Sequence, residues 1–268
     1  IEVKCSHNGL ANGRGITTTA IVTITPPHAT SGSQIAWLFL MERFGLVGLP
    51  NAGKSSLYNA LTNGAALAAP YPFATKDPNI GVAKVLDPRL EALAEMSKTQ
   101  RTVYATVEVV DIGGLVEGAS KGEGLGNKFL THVREVDAVV QVVRCFEDAD
   151  IHHVSATIDP VRDIEIINTE LMLADLDSVK KRRDRLAKDV KRGDKAAAAD
   201  DAVLARIEPW LDAGKPAITL DLTPEERALA AQFFLLTDKP TIFACNVKES
   251  DLATADTNPQ IGRASCRE

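Results

Sequence analysis

Residues 48–55 read GLPNAGKS, and this stretch constrains the fold more than any other feature of the sequence. It follows a short apolar run at 44–47 and precedes an amphipathic run at 55–62. The pattern G-x-x-x-x-G-K-[ST] between a strand and a helix is typical of a phosphate-binding loop. Its glycines permit a tight turn in which successive N–H groups point inward, and the helix presents its positive end to an anion. The sequence therefore predicts a site for the phosphates of a nucleotide.

The residues of this loop have distinct expected roles. We expect Lys54 to reach the β- and γ-phosphates, and so to act in catalysis, and we expect the Ser55 hydroxyl to ligate Mg²⁺. The remaining phosphate contacts should come from main-chain amides. The residues expected to bind the cofactor in this way are Asn51, Ala52, Gly53, Lys54, Ser55 and Ser56. A glycine-rich turn without a ligand is the alternative, but strand, spacing and helix all agree with a phosphate site.

The stretch VVDIGG at 109–114 predicts a second part of the site. Asp111 ends an apolar strand and can hold Mg²⁺ through a water molecule, and the Gly114 N–H can donate to the γ-phosphate. Thr75, in the intervening stretch 71–79, is the candidate for a second Mg²⁺-ligating hydroxyl on a loop that orders with the γ-phosphate. A plain strand-ending turn and a loop threonine without function are the alternatives.

Strands and helices alternate along the rest of the sequence. Apolar runs predict strands, and apolar residues three to four apart predict helices. The predicted strands are 44–47, 105–112, 138–146 and 241–247, and the predicted helices include 55–62 and 128–136. Strands that are apolar throughout are typical of a parallel sheet covered on both faces. The predicted fold class is therefore α/β, a P-loop NTPase with a mainly parallel sheet flanked by helices.

A helical insertion separates the last two predicted strands. Asp159 followed by Pro160 predicts a helix start. The turn at Gly193 and Asp194 separates two helices that we expect to form an antiparallel hairpin or coiled coil. Thr223, followed by a proline and two glutamates, predicts the start of a further helix.

The predicted organisation has five parts. Residues 1–40 form an unassigned leader that we expect to be disordered or non-native, because its periodicity is weak. Residues 41–160 form the first part of the P-loop domain, and 161–236 form the helical insertion. Residues 237–256 hold the returning strand and a base-recognition motif, and 257–268 read as a non-native tail. Both ends are excluded from the fold prediction.

Composition narrows the possible functions. Because the net charge is −6, any nucleic-acid surface must be a local patch. The four cysteines lie far apart without a C-x-x-C pair, which argues against a zinc framework and fits a reducing compartment. No apolar stretch approaches the roughly 18 residues of a membrane span. We therefore expect a cytoplasmic protein with no membrane partner.

Several longer stretches together resemble one known family. GLPNAGKSSLYNALT, YPFATKDPNIGV, DIGGLVEGASKGEGLGNKFL and VVRCFEDADIHHV, followed by DPVRDIEIINTEL, are similar to the YchF/OLA1 subfamily of Obg-related P-loop NTPases. The resemblance covers residues 41–255. It implies a P-loop domain, a coiled-coil insertion and a C-terminal TGS domain that this sequence does not reach. It also implies that ATP is preferred over GTP and that the protein binds the large ribosomal subunit.

The expected base-recognition motif is the stretch from Asn246 to Glu249, which reads NVKE. Ordinary GTPases read guanine with N-K-x-D, in which the aspartate accepts from two guanine donors. Here Val247 replaces the lysine and the Glu249 carboxylate lies one methylene further out, which weakens the case for GTP. The resemblance implies ATP, bound by Asn246, Val247 and Glu249. A GTP-specific Obg-type enzyme, or an asparagine that only ends a strand, are the alternatives.

The sequence lacks the glutamine that orients the attacking water in many related enzymes. Leu115 follows Gly114 at that position, and leucine has no hydrogen-bonding group. His153 is a candidate catalytic residue because imidazole can donate to or accept from water, and a plain surface histidine is the alternative. By resemblance, Asn51 is a candidate for helping to bind K⁺. We expect slow hydrolysis that a partner raises, and a nucleotide-sensing scaffold with negligible turnover is the alternative.

Residues 179–195 carry nine lysines and arginines against three aspartates. Such a concentration predicts either a contact with RNA phosphates or a solvated coiled-coil face. No aromatic residue interrupts the run, which argues against stacking on bases. The resemblance favours a phosphate contact with the RNA of the large ribosomal subunit.

Overall fold

The computed structural model describes residues 3–4, 18–23, 43–62, 78–115, 125–147, 158–248, 250–251 and 261. These residues form one mixed sheet with helices on both faces. The strands are β1 (Val3–Lys4), β2 (Thr18–Thr23), β3 (Arg43–Val47), β4 (Asn79–Val85), β5 (Ala105–Asp111), β6 (Ala138–Arg144) and β7 (Thr241–Lys248). The helices are α1 (Lys54–Thr62), α2 (Pro88–Ser97), α3 (Leu125–Glu135), α4 (Pro160–Lys191), α5 (Lys195–Asp212) and α6 (Pro224–Ala231), with 3-10 turns at Ala217–Thr219 and Leu236–Asp238.

The centre of the sheet is parallel. The strand order is β1-β2-β7-β6-β3-β5-β4, and the four strands β7, β6, β3 and β5 run in the same direction. The predicted α/β fold with a mainly parallel sheet is therefore confirmed. Every residue of Ala138–Arg144 is buried, as expected for a strand covered on both faces. The carboxyl ends of the four strands meet at one edge, which is where sheets of this kind bind ligands.

The edges of the sheet are antiparallel, and the sequence pattern did not predict them. β4 pairs with β5, and β2 pairs with β7 from Thr18 opposite Lys248 to Thr23 opposite Phe243. β2 belongs to residues 1–40, for which we expected no regular element. Five of the six residues in TTAIVT are β-branched, and such side chains favour an extended strand. The local sequence thus suits a strand once the edge of β7 is available.

Each face of the sheet has its own apolar cluster. α1 packs against one face, where Leu57 and Tyr58 meet Leu46 of β3. α3 and the first half of α4 pack against the other face, where Val133 and Ile167 surround Val47. Successive residues of β3 therefore point to opposite faces, as the pleat requires. None of the helices in the described part of the chain is long and apolar enough to cross a bilayer.

Three helices begin where the sequence predicts them. Asp159 accepts from two main-chain N–H groups of the first turn of α4, at 3.2 and 3.4 Å. Asp194 accepts from two such groups at the start of α5, at 2.8 and 3.2 Å. Thr223 and Glu226 form a reciprocal capping box at the start of α6. Each cap satisfies donors that have no partner inside the helix.

α4 and α5 form the predicted helical hairpin. Gly193 adopts a left-handed φ of 83° in the turn that joins them. Arg183 of α4 donates to Asp201 at 2.8 Å and to Glu208 at 2.5 Å on α5. The second half of α4 also shares an apolar cluster with α5 and α6. The predicted boundary at residue 161 thus lies at the beginning of a helix that packs on the sheet and then continues into the hairpin.

One buried carboxylate on α4 binds the segment that leads back from the helical hairpin to β7. Asp175 is 1% exposed and accepts from the main-chain N–H groups of Leu236 and Thr237, both at 2.8 Å. It also accepts from the Thr237 hydroxyl at 2.7 Å, and that hydroxyl accepts from the Ala217 N–H at 3.2 Å. Burial raises the pKa of the Asp175 carboxyl, while its hydrogen bonds oppose the rise. A single side chain therefore orders both 3-10 turns before β7.

Replacing Asp175 by alanine should lower the free energy of unfolding by about 2–4 kcal/mol, because three buried donors lose their acceptor. Asp177→Ala is the matched control, since Asp177 lies on the same helix and only pairs with Lys181 at the surface. That change should cost about 0.5 kcal/mol or less. Urea denaturation followed by circular dichroism measures both variants. An equal decrease in the free energy of unfolding for the two variants would show that Asp175 does not stabilise the segment before β7.

Candidate functional site

The loop between β3 and α1 passes close over β6. A Cβ atom at Gly48 would lie 2.5 Å from the main-chain oxygen of Val142, so no side chain fits there. Asn51 and Gly53 adopt left-handed φ angles of 62° and 103°, which turn the chain toward the helix start. Glycine adopts such angles without strain, and asparagine tolerates them better than most residues. The loop therefore has the compact shape that phosphate binding requires.

Lys54 is enclosed by this loop. Its Nζ atom donates to the carbonyl oxygens of Gly48 and Leu49, at 3.1 and 2.9 Å, and the residue is 7% exposed. Burial lowers the pKa of Lys54 from 10.5 to about 8, and the charge of Asp111 offsets part of that shift. A desolvated ammonium group gains strongly from a nearby anion, because the anion favours its charged form. The loop therefore holds a cation that is suited to a phosphate ligand.

Ser55 and Asp111 meet at the carboxyl edge of the sheet. Ser55 Oγ donates to Asp111 Oδ2 at 2.7 Å, and Leu46 of β3 lies opposite Asp111 in the parallel ladder. Asp111 is fully buried, and no donor among the described residues contacts its Oδ1 atom. Burial raises the pKa of this carboxyl, and the Ser55 hydrogen bond and the Lys54 charge oppose the rise. A hydroxyl beside a carboxylate with an unused oxygen fits the ligands that Mg²⁺ prefers.

The turn after β5 is tied to the same loop. A Cβ atom at Gly114 would lie 3.1 Å from the Cγ atom of Pro50, so the turn and the loop are in close contact. The Leu115 N–H donates to the Gly48 oxygen at 3.3 Å. The Leu115 side chain is 1% exposed and belongs to the apolar cluster that contains Val47. It is a core residue and offers nothing that could orient a water molecule.

Asn246 connects the last strand to the loop. Its Nδ2 atom donates to the main-chain oxygen of Ala52 at 3.0 Å, and the residue is buried. Within the part of the chain that the structure describes, Asn246 Oδ1 has no donor. Val247 packs with Val143 and Cys245 on the other face of the strand, so any contact between Val247 and a base would come from its main chain. The predicted base-recognition asparagine and the predicted phosphate loop therefore touch directly.

The structure brings most of the predicted site residues together at one edge of the sheet. They are Asn51, Ala52, Gly53, Lys54, Ser55, Ser56, Asp111, Gly114 and Asn246. Thr75, His153 and Glu249 lie outside the described residues. The roles predicted for those three side chains stay predictions.

Sequence reasoning missed two features of this edge. The hydrogen bond between Asn246 and Ala52 joins residues 194 positions apart and depends on the order of the strands in the sheet. Arg144 was also missed, although it is 2% exposed and lies opposite Asn246 in the ladder between β6 and β7. The available signal was a basic residue at the end of a mostly apolar strand, because burying a charged side chain is costly unless it is hydrogen-bonded.

Seven of the nine cations in the basic stretch 179–195 divide into two groups, and the other two, Lys181 and Arg192, pair with Asp177 and Asp189. Arg182 and Arg183 face α5 and pair with its carboxylates, at 3.3 Å to Asp200 and 2.8 Å to Asp201. These two arginines therefore hold the hairpin together. The second group is exposed and pairs with no carboxylate among the described residues. It consists of Lys180, Arg185, Lys188, Lys191 and Lys195.

Comparison with known proteins places these features in a family. A family model described as 50S ribosome-binding GTPase matches residues 43–177. The ribosome-binding ATPase YchF of Bacillus subtilis (strain 168) is 47% identical over 219 residues, which are 82% of this chain and 60% of the relative. The protein of the same name from Escherichia coli O157:H7 is 51% identical over 217 residues, 81% of this chain and 59% of the relative. The chain thus spans 60% or slightly less of the length of these two relatives.

A solved structure shows the same fold. The structure of the Schizosaccharomyces pombe YchF GTPase has a TM-score of 0.66 and 37% sequence identity, covering 84% of this chain and 63% of that chain. The stretch matched by the family model includes both the loop with Lys54 and the strand that ends at Asp111. The chain therefore belongs to the family of P-loop proteins described as 50S ribosome-binding GTPases, within the YchF subfamily.

Proposed function

We propose that the chain acts as an Mg²⁺-dependent P-loop switch that binds and hydrolyses ATP and associates with the large ribosomal subunit. The observation that carries this proposal is the loop-enclosed Lys54 beside the hydrogen-bonded pair of Ser55 and Asp111. Relatives at 47% and 51% identity are named ribosome-binding ATPases, and the family description names the 50S ribosome. Those names support the same assignment for this chain, and the proposed place of action is the cytoplasm.

The phosphates are proposed to bind where Lys54 donates to the main-chain oxygens of Gly48 and Leu49. Turning toward a phosphate would exchange these two neutral acceptors for charged ones, and charge-assisted hydrogen bonds are about twice as strong. Main-chain amides between Asn51 and Ser56 would supply further donors. The positive end of α1 favours negative charge at the same place.

Ser55 and Asp111 are the described residues that would hold Mg²⁺. Asp111 Oδ1 is buried without a donor among the described residues, and a cation would satisfy it. When bound, Mg²⁺ supplies positive charge that stabilises the negative charge on the phosphates. Thr75 is proposed as a further hydroxyl ligand.

Asn246, Val247 and Glu249 are proposed to bind the base. Asn246 Oδ1 is a buried acceptor without a donor among the described residues. Adenine carries an amino group, which can donate, where guanine carries a carbonyl oxygen, which cannot. An acceptor that faces this position of the purine therefore favours ATP over GTP. A GTP-specific switch is the second candidate, because the matching family and the S. pombe relative are both called GTPases.

Hydrolysis is proposed to be slow unless a partner assists it. Lys54 would stabilise the charge that develops on the transferred phosphoryl group. Leu115 is a core residue, so another group must orient the attacking water, and His153 is proposed for that role. Asn51 is proposed to help bind K⁺. Because Leu115 cannot orient water, a third candidate function is a nucleotide-sensing scaffold with negligible turnover.

The exposed basic residues of the hairpin are proposed to contact phosphates of ribosomal RNA. Arg182 and Arg183 are occupied by carboxylates of α5, so this contact would fall to Lys180, Arg185, Lys188, Lys191 and Lys195. Lysine and arginine side chains that bind backbone phosphates release counterions, and their affinity therefore falls steeply with salt.

Calorimetric titration with ATP and with GTP, each with and without Mg²⁺, tests the proposed function directly. We expect ATP to bind more tightly than GTP, and removal of Mg²⁺ to weaken ATP binding. Lys54→Ala should raise the Kd for ATP about 100-fold, because the charged phosphate donor is lost. The control Lys84→Ala changes an exposed lysine of β4 and should leave the Kd unchanged. Unchanged affinity in the Lys54 variant would overturn the nucleotide site, and tighter binding of GTP would reverse the proposed base preference.

The affinity for ATP should also fall as the pH rises above about 8. Lys54 in the free protein loses its proton near that pH, whereas bound phosphates keep it protonated. Binding therefore takes up a proton above pH 8, and the Kd should rise by up to about tenfold per pH unit. Lys54→Met removes the titrating group and should flatten this part of the profile. Calorimetry from pH 7 to 9 measures it, and a flat wild-type profile would contradict a desolvated Lys54.

Reversing charges on the hairpin should separate ribosome binding from nucleotide binding. Lys188→Glu together with Lys191→Glu should weaken binding to large ribosomal subunits at least about tenfold and reduce the salt slope by about 1–2. The matched control reverses Lys84 and Arg101, which are exposed but lie outside the hairpin. Cosedimentation with subunits at several salt concentrations measures the effect, and ATP affinity should stay constant. Equal binding by both double variants would exclude this face as the contact.

A further inference from the structure

Arg144 is a buried arginine that the proposed function does not use. It is 2% exposed and is the largest of the fully buried side chains among the described residues. It ends β6, in a strand whose other residues are nearly all apolar. A charged side chain in such a place is costly to bury, and it is kept only where its hydrogen bonds are useful.

Arg144 lies directly beside the residue proposed to recognise the base. In the parallel ladder between β6 and β7, Arg144 is opposite Asn246. Two residues earlier, Val142 and Ala244 are opposite each other and share an apolar cluster with Ala52 of the phosphate loop. Because side chains alternate between faces along a strand, Arg144 and Asn246 belong to that same face.

Hydrogen bonds connect Arg144 to Asn246 through the turn after β6. Arg144 Nε donates to the Phe146 oxygen at 3.1 Å, and the guanidinium lies over the Phe146 ring, 4.7 Å from its centre. Within the turn that this contact holds, the Cys145 N–H donates to the Asn246 oxygen at 2.8 Å. The Asn246 side chain then donates to Ala52. The main chain of Asn246 is thus hydrogen-bonded to the Cys145–Phe146 segment, which the Arg144 side chain contacts.

We propose that Arg144 is a positioning residue for nucleobase recognition, which fixes Asn246 through the turn Cys145–Phe146. This inference rests on the proposed function, in which Asn246 contacts the base. A positioning role of this kind predicts a selective defect. Loss of the guanidinium should loosen Asn246 and weaken contacts with the base, whereas the contacts of Lys54 with phosphates should survive.

The test compares two ligands in each variant, ATP and inorganic tripolyphosphate, both with Mg²⁺ and both measured by calorimetry. Tripolyphosphate carries the phosphate chain without the ribose and the base, so the ratio of the two Kd values reports recognition of the nucleoside. Arg144→Met keeps the length of the side chain and removes its donors. We expect it to raise the Kd for ATP at least tenfold and to change the Kd for tripolyphosphate less than twofold. Arg144→Lys keeps the charge without the planar fork and should show the same selective defect, at smaller size.

Arg227→Met is the matched control. Arg227 also donates to a main-chain oxygen, that of Leu220, but it lies in the helical insertion. Its ratio of Kd values should equal that of the wild type. Parallel weakening of both ligands in the Arg144 variants, or no change in the ratio, would show a merely structural role and overturn the proposal.

The same measurements separate this proposal from the proposed function. If the wild-type protein binds ATP no more tightly than tripolyphosphate, Asn246 does not contribute to nucleoside binding, and the base contact in the proposed function falls together with the positioning role. If the wild type discriminates and the Arg144 variants discriminate equally well, only the positioning role falls. If Arg144→Met does not fold, the ratio measured for Arg144→Lys decides the question in the same way.

Discussion

The parallel alignment of β5, β3, β6 and β7 is the constraint on which the candidate site depends. Because these strands run in one direction, residues from distant parts of the chain become neighbours where the strands end. Lys54 and Ser55 follow β3, Asp111 ends β5, and Asn246 lies near the end of β7. A slip of one residue between β3 and β5 would move Asp111 by about 3.3 Å relative to Ser55. The 2.7 Å hydrogen bond between these two residues would then be lost.

The parts that could be predicted from sequence are those that follow local rules. The loop 48–55 has a fixed spacing of glycines and lysine, which predicts a tight turn, and the structure has a tight turn there with left-handed φ angles at Asn51 and Gly53. Asp159, Asp194 and Thr223 mark helix starts because a short polar side chain can reach only the first turn. The central strands could be predicted because most of their residues are apolar, which is typical of strands with both faces covered.

The remaining parts depend on contacts between distant segments, and a single sequence does not display these. Most side chains of β4 and α2 are exposed, so their apolar residues do not mark a buried face, and β2 pairs along the edge of β7, which lies far away in the sequence. The link from Asn246 to Ala52 likewise follows from strand order. The pKa of Lys54 is low because the folded loop buries its side chain. This burial cannot be predicted from the residues next to Lys54 in the sequence.

The continuity of α4 gives the molecule a mechanical property. Its 32 residues form a rod about 48 Å long, at 1.5 Å per residue. One end is clamped to the sheet by Ile164 and Ile167, while the other carries the hairpin turn away from it. Because about half of this rod packs on the sheet, its free arm is about 24 Å long, and a tilt of about 5° displaces the free end by about 2 Å. A small tilt of α4 where it packs on the sheet would therefore displace the turn of the hairpin by a larger distance.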